Sequence, residues 1–156
     1  MSYLNEFLFW NSGNLHEKSI REAYAEWLVC KILNFDVGVY RNPGKLLEIE
    51  FKGISLDVIS HSYLSNSSNL QLNKILFPIK PSLAKARIFC LLNEIDSINM
   101  NPDDIAMWDF WIVPSKDINR TRQSITLSPL IKSFGDPIQH FEIYHRLNRM
   151  IEENRF

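Results

Sequence analysis

Three carboxylates carry most of the chemistry that this sequence offers. Two of them, Glu48 and Asp57, flank Lys52-Gly53 within residues 45–60, a stretch that reads as two short strands joined by a glycine-containing turn. Side chains on a strand repeat direction every second residue. Leu47, Ile49 and Phe51 therefore share one face, with Leu46, Glu48 and Glu50 on the other. In the second strand Ile54, Leu56 and Val58 point one way, and Ser55, Asp57 and Ile59 the other. If the two polar faces coincide, Glu48 and Asp57 come together above an apolar face. Such a pair is either a solvated edge or a site that holds a divalent cation through oxygen. The third carboxylate, Glu26, interrupts a helical stretch, residues 23–33, in which only Lys31 is otherwise charged. On a helical projection it falls between Cys30 and Leu33, where a carboxylate needs a partner or a place at the rim.

The chain has 156 residues, enough for one domain with a real core over 1–156 and too few for two ordinary ones. It is 46% hydrophobic and 22% charged, the balance of a soluble globular protein. A net charge of −1, with both signs interspersed, supplies no overall field toward nucleic acid or a membrane. Nucleic-acid binding would therefore need a local patch. Cys30 and Cys90 lie far apart in apolar runs and read as buried free thiols in a reducing compartment. The aromatic start carries Glu6 and no basic leader, and no apolar run approaches about 20 residues, so a cytoplasmic protein with no membrane partner is expected.

The elements that must position the carboxylates follow from periodicity. Residues 15–34 predict the longest helix, with His16, Glu17, Lys18, Arg21 and Glu22 as its wet side, started by Ser12 or Asn14. Residues 35–40 predict a short strand, 41–44 a turn and 61–69 a polar loop. Pro78 and Pro81 limit residues 70–79 to an irregular or edge strand. Residues 86–92 and 107–113 are near-continuous apolar runs of strand length, suited to strands covered on both faces. A short extended piece at 124–127 precedes a brief helix to Phe134, ended by Gly135. Residues 137–153 predict a closing helix with Phe141, Tyr144, Leu147, Met150 and Ile151 as its apolar residues. The order argues for an α/β or α+β fold, a mixed central sheet flanked by helices. No Gly-rich loop follows a strand, and there is no phosphate loop, nucleophile elbow or His-Glu-x-x-His, so no nucleotide cofactor is expected. The four histidines, at 16, 61, 140 and 145, make no metal-ligand spacing and read as surface residues.

A helix with Glu26, a strand with Glu48 and a strand with Asp57-Val58-Ile59 stand in an order that resembles the PD-(D/E)XK nuclease superfamily, the restriction-endonuclease-like fold. The ordered segments Gly13-Asn14-Leu15-His16, Ala25-Glu26-Trp27-Leu28-Val29, Leu56-Asp57-Val58, Ser62-Tyr63-Leu64, Phe89-Cys90-Leu91-Leu92, Trp108-Asp109-Phe110-Trp111 and Gln123-Ser124-Ile125-Thr126-Leu127 are similar to small bacterial members of it. The resemblance implies that Glu48 and Asp57 match the two strand acids and Glu26 the helix carboxylate, together holding Mg²⁺. It also implies a lysine two residues after the second acid, and there the chain has Ile59. Loss of one preorganised charged donor lowers a rate by about 10²–10³-fold. Lys74, Lys80 and Lys85 are the lysines that could substitute. The expectation is a degenerate nuclease, inactive or weak, serving as a nucleic-acid-associated or assembly subunit, with a genome-defence system as its setting. Two alternatives stand beside it: an active Mg²⁺-dependent DNA endonuclease with a relocated lysine, and a protein–protein module that pairs with a partner or with itself. Lys116, Arg120 and Arg122 are the candidate contacts to DNA, with Arg146 and Arg149 able to extend the patch.

Overall fold

The computed structural model describes residues 2–3, 5–7, 18–36, 38, 48–62, 75–93 and 104–156. Its regular elements in chain order are α1 (Lys18–Ile32), β1 (Ile49–Phe51), β2 (Ile54–Ser62), β3 (Leu76–Pro78), β4 (Ala86–Leu92), β5 (Trp108–Pro114), β6 (Ser124–Thr126), α2 (Leu127–Phe134) and α3 (His140–Glu152). A four-stranded mixed sheet runs β1-β2-β4-β5, and β3 pairs with β6 in a second, two-stranded sheet. The fold is therefore α+β, as the pattern of elements predicts. Among the described residues, no helix is long and apolar enough to cross a membrane.

The β1–β2 hairpin forms where the sequence places it. Lys52 and Gly53 both take positive φ, 49° and 81°, the conformation of a two-residue turn that matches the twist of paired strands. Ile49 faces Leu56 and Phe51 faces Ile54 across the ladder. β2 then pairs in parallel with β4, from Leu56 opposite Ala86 to Ser62 opposite Leu92. That pairing carries β2 two residues beyond Ser60, so His61 and Ser62 belong to the strand and not to the predicted loop. All seven residues of β4 are buried, which suits its central position between β2 and β5.

Two apolar clusters lie on opposite faces of this sheet. One face packs Leu56, Ile88, Cys90, Trp108 and Phe110 against α1 and the Ile143–Leu147 side of α3. The other packs Ile59, Phe89, Leu91, Trp111 and Val113 against Phe77, Ile125 and Leu130 of the small sheet and α2. The buried helix read from residues 23–33 is present: Ala23, Tyr24, Ala25, Trp27, Leu28, Val29 and Cys30 are all at most 2% exposed. Arg21 departs from expectation. It is buried rather than wet, and burial pulls its guanidinium below the ordinary arginine value, with Glu22 opposing.

Further differences are local. Met107 ends a 3₁₀ turn (Ile105–Met107) before β5, and Pro114 closes the strand from inside it. Phe35 and Asp36 lie outside any strand. On α3 the buried stripe is Ile143, Leu147 and Met150, whereas Phe141 and Tyr144 are exposed. The Ser12 and Asn14 cap, residues 41–44, Tyr63, Leu64 and Lys74 lie outside the described residues.

Candidate functional site

The hairpin register decides where the carboxylates go. Glu50 pairs with Ser55, so Glu48 lies one antiparallel step beyond, on the Asp57 side. The two polar faces thus coincide, the condition that the alternation left open, with Glu48 exposed and Asp57 half-buried. Ile59 shares their face but points into the cluster of Phe77 and Phe89 and is 7% exposed. The position implied for a motif lysine is therefore part of the core.

Glu26 does not join them. It sits on α1, which covers the opposite face of the sheet, and its charge acts on the thiols of Cys30 and Cys90. Burial, with Glu26 as the second cause, pushes Cys30 up to about 12 and raises Cys90 as well. Both thiols are buried and free, hence protonated and poor nucleophiles. Between Glu26 and Asp57 stands the sheet itself. Among the described residues, no group of three or more His, Cys, Asp or Glu is arranged to hold a metal ion.

The neighbour that Asp57 does have was not singled out in the sequence. In the parallel ladder Asp57 stands beside Arg87. Arg87 is 6% exposed, and its Nη1 donates to the carbonyl of Lys80 at 3.0 Å, while its Nε has no hydrogen-bond partner. Burial raises the Asp57 carboxyl above its ordinary value, and the charges of Arg87 and then Lys80 draw it back down. No direct ion pair joins Asp57 to Arg87. Among the described residues, Lys80 is thus the candidate substitute whose charge reaches Asp57. Lys85 is exposed, and its amide bonds to Ser55. The signal that could have found Arg87 was its type: one cation inside a seven-residue apolar run predicts a buried charge with a partner.

The same signal marks Asp109, the one charge within β5. Its carboxylate accepts from Asn93 Nδ2 at 2.7 Å and from Gln139 Nε2 at 3.2 Å. Burial raises Asp109, and these two bonds partly offset it. Gln139 also caps α3, where its amide donates to Glu142 Oε2 at 2.7 Å. This network ties the end of β4 to the start of α3, a structural task.

Lys116, Arg120 and Arg122 are all exposed around the β5–β6 connection. Trp108 and Trp111 belong to the core, 1% and 3% exposed. Of the histidines, His61 and His140 are half-buried and only His145 is exposed, with His16 outside the described residues. No family model matches the chain, and no curated protein or solved structure matches it either.

Proposed function

We propose that the chain is a nuclease-fold protein whose carboxylate site no longer works as a catalytic metal centre, and that it acts by binding, as a nucleic-acid-associated or assembly subunit. One observation carries this reading: Glu26 stands on the opposite face of the sheet from Glu48 and Asp57, and the charges beside Asp57 include Arg87 and Lys80. Hard divalent cations need several oxygens converging within a few ångströms, and a neighbouring guanidinium competes with the ion for the carboxylate. The near-neutral charge favours the assembly role over phosphate-backbone binding, which normally takes a basic stripe. An active Mg²⁺-dependent endonuclease with a relocated cation is the second reading, favoured by the proximity of Lys80 and Arg87 to Asp57.

Nicking of supercoiled plasmid in Mg²⁺ or Mn²⁺, alongside calorimetric titration of both metals, separates the two. The expected result is no cleavage above that of Asp57→Asn and no binding heat that depends on Asp57. Metal-dependent nicking that Asp57→Asn abolishes would establish the endonuclease instead. Retention on immobilised duplex DNA tests the nucleic-acid role. If Lys116, Arg120 and Arg122 contact phosphates, replacing all three with Ser reduces the salt slope by roughly 0.9 per lost contact.

A further inference from the structure

Among the described residues, the outward N–H groups of β5 are engaged except at one residue. Asn93 N–H bonds to the Met107 carbonyl and Ser115 N–H to the Lys85 carbonyl, bracketing the β4–β5 ladder. In that ladder Asp109, Trp111 and Val113 exchange bonds with β4, and Trp108, Phe110, Ile112 and Pro114 direct their main chain outward. Trp108 N–H bonds to the Ile105 carbonyl, and Phe110 exchanges both bonds with Ile138. Proline has no N–H. Ile112 N–H is therefore the one outward donor of β5 without a partner among the described residues.

Ile112 lines a notch of about 220 Å³ between α3, the α2–α3 connection and the strand edge. Phe134, Ile138 and Met150 supply apolar wall, and Arg146, Arg149 and Arg155 line it as well. None of these three guanidiniums makes an ion pair among the described residues. Asp117, Asp136 and Glu153 also line the notch, which leaves it near neutral and unsuited to a polyanion such as nucleic acid.

We propose that this notch receives the carboxyl-terminal end of a partner polypeptide, which adds one strand residue beside Ile112 and sets its terminal carboxylate among the arginines. Ile138 blocks the edge at Phe110 and Pro114 ends it, so the opening is one residue pair long and suits a chain end, not a strand that runs through. Main-chain pairing supplies the seat, and charge-assisted bonds from guanidinium to carboxylate supply the preference for a free terminus. The proposal rests on the assembly role above and names the kind of partner it takes.

The test uses the full chain labelled with ¹⁵N and titrated with a pool of random tetrapeptides, either with free carboxyl ends or amidated. The free pool is expected to shift the Ile112 amide, with the amidated pool at least about tenfold weaker. The Arg146→Gln, Arg149→Gln double variant changes two exposed residues and is expected to lose that difference while keeping its far-ultraviolet circular dichroism. No Ile112 shift at millimolar peptide, equal response to both pools, or a shift driven by duplex DNA instead overturns the proposal. Plasmid nicking that depends on Asp57 would overturn the functional reading and leave a positive peptide result standing. Absence of nicking together with silent peptides would overturn the notch alone.

Discussion

The two faces of the central sheet are built from the same strands and do different things. Against α1 and α3 the strands present Leu56, Ile88, Cys90, Trp108 and Phe110, an apolar surface without a strand charge. Against the small sheet the same strands present Phe89 and Trp111 in the middle but Asp57, Arg87 and Asp109 toward the ends. A period of two lets β4 be buried at every position and still carry a thiol on one face and a guanidinium on the other. The difference explains why Glu26, on the helix side, and Asp57, on the other, are near in the order of elements yet separated by a sheet.

The apolar middle of the second face is where that comparison breaks most easily. Phe89 is fully buried, with its ring edge-on to Phe77 at 5.3 Å, and Trp111 stands 6.5 Å from Phe77. Phe89→Ala is expected to destabilise the fold by about 3–5 kcal/mol in urea unfolding. Beneath Trp111 lies Gly135, whose carbonyl accepts the indole N–H at 3.0 Å and whose φ and ψ are 85° and −171°. Only glycine adopts that backbone readily, and an added Cβ would meet nothing within 4 Å. Gly135→Ala should therefore cost about 1–3 kcal/mol from backbone strain alone, read from the same unfolding midpoint. On the helix face Ile88→Val removes one methylene from a fully buried site, for about 0.5–1.5 kcal/mol. A larger loss at Ile88 than at Phe89 would mean that the helix face is the more tightly packed of the two.

How much of this was legible in the sequence depends on the range of the interaction. The hairpin at Lys52-Gly53, the buried stretch of α1, the seven-residue core strand and the Gly135 helix stop are local signals, and the structure carries each. On α3 the reading failed because two adjacent stripes share Leu147 and Met150, and periodicity alone cannot choose between Tyr144 and Ile143. The packing partner chooses. Ile143 faces the core, while Tyr144 meets the Phe51 ring at 5.3 Å from outside, with the Lys52 ammonium 5.6 Å from its centroid. The candidate site was legible for the Glu48–Asp57 side, which one hairpin sets. Arg87 comes to Asp57 through parallel pairing of strands thirty positions apart, a register that no local pattern encodes. Glu26 was likewise legible as a charge in a buried helix, but not the face of the sheet that the helix would cover.

The charged end of the second face yields the smallest stability effect and the one with an opposite sign. Burial raises the Asp57 carboxyl, more than Arg87 and Lys80 lower it. A carboxyl raised on folding favours the neutral form in the native state, so its contribution is fully present below the unfolded value, about 3.9, and is lost as pH rises through the folded value. At neutral pH the ionised Asp57 therefore works against folding. Asp57→Asn keeps the shape and removes the charge, and the variant should be more stable than the parent at pH 7. Part of the carboxylate is in water, so solvent screening limits the gain to at most about 1 kcal/mol. The gain should shrink as the pH drops toward the unfolded carboxylate value and vanish below it, where Asp57 is neutral in both states. Urea unfolding of the two proteins at pH 7 and near pH 4 measures both halves. A variant less stable than the parent at pH 7 would mean that Asp57 is held by Arg87 as a net stabilising pair, and that the charged end of this face is structural cement.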